Sequence, residues 1–230
     1  MRQKFIFEEK AGRREGFLDI KGAICCGYTG RNQSAVRAHI EELARAGVKP
    51  PPSVPMFYPK PPAGVELSGE IYTEGQETSG EVEYVLLVEG ENIWVGVGSD
   101  HTDRDLEKLD IRKSKQVCPA PMSPSLWKYS EIKDHWDKIE IRSFATKDGK
   151  KALYQESTLA TILSPEDLVK LVQEKIVGAL EGIAIYSGTP PLKTGSMIFA
   201  DLFEGELVDP VLKRKLTLHY SIHTLGWFRD

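Results

Sequence analysis

The sequence predicts a β-rich α+β protein, and three observations carry that prediction. Short stretches rich in Val, Ile, Leu and Tyr recur along the chain, each closed by glycine or charged turn residues, as strands are. Only three segments have helix signals, namely Ser34–Ala46, Ser130–Trp136 and a stretch from Ser164 to about Ile176. The composition, 40% hydrophobic and 28% charged over 230 residues, is that of a globular chain with a sizeable core.

Taken in order, Lys4–Phe7, Phe17–Ile20 and Ala23–Cys26 read as strands between charged or glycine-containing turns. A helix follows, with Ser34 as N-cap, an apolar stripe of Val36, Ile40 and Leu43, and Gly47 as its stop. Seven prolines between Pro50 and Pro62 then make a stiff, extended connector. The expected division is a small N-terminal lobe over 1–49, the connector over 50–64 and a main body over 65–230. Strands are expected there at Val65–Tyr72, Glu81–Val88, Ile93–Val97, Lys138–Ser143, Gly182–Tyr186 and Leu216–Ile222. The last helix has Pro165 at its first position, with Glu166 and Asp167 in the first turn.

Several function classes are disfavoured. A net charge of -4 with scattered basic residues leaves no footprint for nucleic acid. No stretch is apolar enough to cross a membrane, and Met1–Lys10 does not read as a signal peptide. Three cysteines, two of them adjacent, argue against a disulfide framework, so a reducing cytoplasm is expected. The chain lacks Gly-x-Ser-x-Gly and a Gly-Lys-Ser/Thr phosphate loop.

The most informative residues are Glu81, Glu83 and Asp100. Alternate residues of a strand share a face, so Glu81 and Glu83 point the same way. An even-numbered hairpin loop centred on Gly90-Glu91 sets 81 opposite 100 and 83 opposite 98, which adds Asp100 to that face. An odd loop turns Asp100 away. Three carboxylates that close repel, and a cation resolves the repulsion. An all-oxygen set favours magnesium, manganese or calcium over zinc. The same spacing also fits a solvated strand face.

His39 and Glu42, three apart on the first helix, suit a pair that activates a water, or equally a routine surface pair. His219 and His223 share a face of the last strand and read as ordinary strand residues. Ser187-Gly188-Thr189-Pro190-Pro191 reads as a turn that offers amides and a hydroxyl to an anion.

Together these pieces resemble the fumarylacetoacetate hydrolase superfamily from about Gly22 to Ile222. Gly30-Arg31-Asn32 with Ala38-His39-Ile40-Glu41-Glu42 resembles its lid segment, Ser79–Glu83 its Glu-x-Glu metal pair, and Ser99–Asp105 its Asp-x-Ser/Thr-x-Arg-Asp motif. Lys115 resembles its active-site lysine, with Lys113 as a rival, and Ser187–Pro190 its Thr-Gly-Thr-Pro turn. Glu107 and Asp103 depart from the pattern. The resemblance implies a mixed β-roll/β-sandwich of the superfamily's C-terminal type. It also implies Mg2+ or Mn2+ on Glu81, Glu83 and Asp100, with His39, Glu42 and Lys115 catalytic and Arg31, Arg104 and Thr189 binding substrate. The implied enzyme is a homodimer that hydrolyses a carbon–carbon bond in an acylpyruvate-like 2-oxo acid. Decarboxylation, isomerisation or hydration on the same metal is the alternative, and a binding protein with a vestigial site is the alternative of another class.

Overall fold

A computed structural model describes residues 1–45 and 50–227, without the side chains of residues 39, 42 and 43. Seventeen strands run β1 (Arg2–Glu9), β2 (Gly12–Asp19), β3 (Gly22–Gly27), β4 (Met56–Lys60), β5 (Val65–Glu66), β6 (Glu70–Thr73), β7 (Thr78–Ser79), β8 (Val82–Glu89) and β9 (Asn92–Ser99). They continue as β10 (Thr102–Asp103), β11 (Ala120–Pro121), β12 (Ser125–Lys128), β13 (Glu140–Lys147), β14 (Lys150–Thr158), β15 (Ile183–Tyr186), β16 (Leu202–Asp209) and β17 (Arg214–Thr224). The α-helices are α1 (Gln33–Arg45), α2 (Arg104–Glu107), α3 (Ile111–Val117) and α4 (Pro165–Gln173).

An eight-stranded mixed sheet in the order β2-β1-β12-β9-β8-β15-β3-β4 packs against a five-stranded one, β14-β13-β16-β17-β6. The period of two along β8 divides its side chains between two cores. Val82, Tyr84 and Leu86 join the core shared with Ile141, Phe203, Leu207 and Tyr220 of the five-stranded sheet. Val85 and Leu87 join a second core with Phe5, Phe7, Cys25, Tyr58 and Tyr186. The β-rich mixed fold expected from the sequence is what forms. Among the described residues no helix is long and apolar enough to cross a membrane.

Four local expectations are corrected. Asn32, not Ser34, caps α1: its Oδ1 accepts the Ser34 and Ala35 amides, each at 3.1 Å. Val65–Tyr72 breaks into β5 and β6 because Gly69 takes a φ of +83°. Ser130–Trp136 forms two 3-10 turns, Tyr129–Glu131 and Lys133–Lys138, interrupted by the non-helical His135. The last helix starts on the Ser164 cap as expected but closes at Gln173, short of Ile176. The Ala46 and Gly47 end of the first helix lies outside the described residues. β3 before the proline-rich connector pairs with β4 at its end, so one sheet runs across the division expected there.

Candidate metal centre

The hairpin sets the site. β8 and β9 pair antiparallel from Val82↔Ser99 to Glu89↔Asn92, leaving a two-residue turn with Gly90 at φ +56°. The even register continues one step further, where the Asp100 amide donates to the Glu81 carbonyl at 3.1 Å. Glu81, Glu83 and Asp100 thus share one face, with one ligand oxygen from each lying within 4.8 Å of the others. Two glycines permit this. A Cβ on Gly80 would come within 2.5 Å of the Tyr220 hydroxyl and 2.6 Å of the Phe203 ring, so only glycine lets the chain pass before Glu81. Gly188, at φ +91°, sits where a Cβ would stand 2.1 Å from Thr29 Oγ1, and its amide donates to Glu83 Oε2 at 2.8 Å.

Three cations surround the carboxylates. Lys115 Nζ donates to Asp100 Oδ2 at 2.5 Å, Glu81 Oε2 at 3.3 Å and Thr102 Oγ1 at 3.3 Å. Lys60 Nζ stands 3.1 Å from Asp100 Oδ1 and donates to the Cys118 carbonyl at 3.2 Å. Arg104 holds Glu81 Oε1 at 3.0 Å through Nη2, Glu107 Oε2 at 2.8 Å through Nη1 and Ser79 Oγ at 2.7 Å through Nε. Behind them lies an uncharged chain. The Glu81 amide donates to Ser99 Oγ, which meets the Tyr220 hydroxyl at 2.9 Å; His101 bridges that hydroxyl and Thr78 Oγ1. Burial, with Arg104 and Lys60 nearby, pushes the His101 imidazole down to about 3, so it stays neutral.

The carboxylates do not titrate alike. Burial raises Asp100, but Lys115 and Lys60 overcome it and hold the group well below the usual carboxylate range. Burial likewise opposes, and Lys115 and Arg104 outweigh it, at Glu81, which is held low. Glu83 goes the other way: burial and then the Asp100 and Glu81 charges push it well above the ordinary value. The cluster therefore lacks positive charge at Glu83. Asp100 Oδ1 is a buried acceptor that faces the Lys60 ammonium yet receives no well-directed hydrogen bond among the described residues. A set of oxygen donors only suits a hard divalent cation.

The structure sorts the other expected residues. Lys115 is buried at the cluster, whereas Lys113 is exposed and pairs with Asp110 at 3.4 Å. Arg104, expected to meet substrate, clamps Glu81 and Glu107, with its three nitrogens engaged. Arg31, also expected to meet substrate, forks its guanidinium onto both Asp137 oxygens at 2.9 Å, and Nε donates to the Ile162 carbonyl. Thr189 has a committed hydroxyl, donating to the Val82 carbonyl at 2.8 Å and accepting from Gln155 Nε2 at 2.6 Å. It braces the strand that bears Glu83. His39 and Glu42 lie on α1, and their side chains fall outside the described residues. His219 and His223 are exposed strand residues, the latter stacked on Tyr72. Asp103 caps α2 through the Leu106 amide. Lys60 is the residue the sequence hid, because its proline neighbours read only as connector. Nothing in the sequence separates Lys60 from the other lysines except that a charge between prolines, next to a strand, is an odd choice for a linker.

A mixed β-roll with a convergent carboxylate trio defines the class, and comparison with solved structures agrees at the level of fold. The chain superposes on Cg1458 at TM-score 0.64 and 17% identity, covering 93% of this chain and 80% of that one. It superposes on 2-keto-3-deoxy-D-arabinonate dehydratase complexed with magnesium and 2,5-dioxopentanoate at TM-score 0.60 and 16% identity, covering 93% and 76%. The 4-oxalocrotonate decarboxylase from Pseudomonas putida G7, complexed with calcium and acetate, matches at TM-score 0.53 and 11% identity, covering 88% and 77%. The β-rich mixed fold is the one these solved structures share, in line with the fold that the motifs implied. The chain belongs to the family described as "Protein of unknown function (DUF2848)", whose model matches residues 26–220. No curated protein matches the sequence.

Proposed function

We propose that the protein is a divalent-metal-dependent enzyme acting on a 2-oxo acid, with Glu81, Glu83 and Asp100 holding Mg2+ or Mn2+. The carrying observation is the convergent trio on one hairpin face. The fold neighbours that carry magnesium with a dioxo acid, or calcium with acetate, support the same reading. When bound, the ion would supply Lewis-acid stabilisation of developing enolate charge. This chain's own residues supply the frame. Arg104 and the Ser99 hydroxyl fix Glu81, the Gly188 amide fixes Glu83, and Lys60 faces Asp100. Lys115 brings a buried ammonium to the cluster edge, where it can meet a substrate oxygen.

The finer reading is hydrolysis of a carbon–carbon bond in an acylpyruvate-like acid by a homodimer in the cytoplasm. In that reaction one water is consumed and two carboxylic acids leave, with His39 and Glu42 taking the water's proton. Decarboxylation, isomerisation or hydration on the same site is the second reading. It is supported by the fold neighbours, which include a dehydratase complexed with magnesium and 2,5-dioxopentanoate and a decarboxylase complexed with calcium and acetate. Product analysis with Mg2+ tests both. Two carboxylic acids, lost in His39→Ala, support hydrolysis, whereas CO2 and pyruvate from oxaloacetate support the lyase. A chain that binds no divalent cation would sink both and leave a binding protein with a vestigial site.

A further inference from the structure

The two buried lysines hold the site in different ways. Lys60 contacts one carboxylate oxygen, Asp100 Oδ1, and is tied on its other side to the Cys118 carbonyl. Its side chain is 1% exposed, on strand β4, which pairs along its whole length with β3. Lys115 instead bridges two carboxylates, taking Asp100 Oδ2 and Glu81 Oε2 together. It extends from the short helix α3, and its side chain is 9% exposed at the open side of the cluster, where Glu81 is 21% exposed. Among the described residues it has no backbone carbonyl as a hydrogen-bond partner; Thr102 Oγ1 accepts from it, and the Tyr58 ring centroid lies 5.6 Å from Nζ.

We propose that Lys60 is a permanent internal cation that positions Asp100, whereas Lys115 is an exchangeable one whose ammonium occupies the carboxylates only until a divalent ion takes them. The inference rests on the trio being a metal site. The physical ground is the kind of contact. An ammonium that bridges two ligand carboxylates competes with the ion for the same oxygens. An ammonium held on one ligand and on a backbone carbonyl orients that ligand and stays. Both lysines carry the same charge at hydrogen-bonding range of Asp100, so simple Coulomb repulsion predicts that removing either one tightens metal binding. Positioning predicts the opposite for Lys60.

The test is calorimetric titration of Mg2+ and Mn2+ into wild type, Lys115→Met and Lys60→Met, without substrate. Lys115→Met should bind the ion about ten-fold more tightly, and Lys60→Met about ten-fold or more weakly, the loss typical of a ligand's outer partner. Circular dichroism melts without metal check that each variant folds. Lys60→Gln, which keeps an N–H for Asp100 Oδ1 without the charge, should recover most of the affinity lost in Lys60→Met and stands in if that variant fails to fold. Two variants that both tighten binding overturn the positioning role of Lys60. A Lys115→Met variant that binds more weakly than wild type overturns the placeholder. Wild type that takes up no ion at all removes the metal-site reading beneath both, a failure distinct from either.

Discussion

Two buried carboxylate clusters, at opposite ends of the same set of sheets, solve one electrostatic problem differently. At the β16–β17 turn, Asp209 is fully buried, and Oδ1 accepts the Val211 and Leu212 amides at 2.9 and 3.0 Å. His135 Nε2 approaches Oδ2 at 3.1 Å. Fixed backbone donors do most of the satisfying, and the Arg214 Nε stands 3.8 Å from Oδ2 as a more distant ion-pair partner. At the hairpin, Asp100 is as deeply buried, but long lysines hold it and one oxygen lacks a directed hydrogen bond. A carboxylate satisfied by main-chain amides is a structural corner. One held by side chains alone, beside two further carboxylates, is a place for a ligand.

The sharpest way to break that contrast is Asp100→Ala. It leaves Lys60 and Lys115 buried against each other and should cost about 3–5 kcal/mol of stability while abolishing any Mg2+-dependent rise in Tm. Metal protection retained in that variant would refute the trio. Asp209→Ala should cost about 2–4 kcal/mol, since two amides and an imidazole lose their acceptor, yet keep the metal-dependent Tm rise intact. Burial acts against ionisation of Asp209, but the Leu212 amide, His135 and the Val211 amide hold its pKa below the ordinary value. Its contribution to stability is therefore present above the ordinary carboxylate range and lost as pH falls through the lowered folded value. Wild type should lose that increment in acid melts while Asp209→Ala, already without it, shows a flatter acid limb.

Glu83→Gln separates charge from shape. The amide oxygen can still accept from Gly188, and a buried carboxylate crowded by two others is removed. The metal-free Tm should hold or rise while metal protection disappears; a large fall would mean that the Glu83 charge is needed by the fold itself. Last and smallest, Lys113→Ala removes an exposed pair with Asp110 and should shift stability by less than about 0.5 kcal/mol, with no change in metal affinity. An effect as large as that of Lys115→Met would reverse the choice between the two lysines.

What the sequence made legible was local. The alternation at Glu81 and Glu83 was plain, and of the two turn parities open to the sequence the even one forms and sets Asp100 on their face. The Ser164-Pro165 start of α4 was equally plain, because capping chemistry needs only neighbours. Partners distant in sequence were not legible. Nothing in a motif says that Glu81, 23 positions before Arg104, will lie against its guanidinium. The pairing of Arg31 with Asp137, 106 residues away, was hidden for the same reason. Lys60 was missed because prolines conceal a strand whose edge position tolerates them. Periodicity assigns a face, but not what the face will meet, and so the parallel pairing of β15 with β3 could not be read from it.

The Gly90-Glu91 turn lies nine residues from Glu81, about 30 Å along a strand, and touches none of the chemistry. Its length nevertheless decides whether the site exists. An insertion there that was passed into the ladder as a slip of one residue would carry Asp100 to the far side of the sheet, whereas a slip of two would restore its face. The register set at an exposed turn is thus a constraint on the centre.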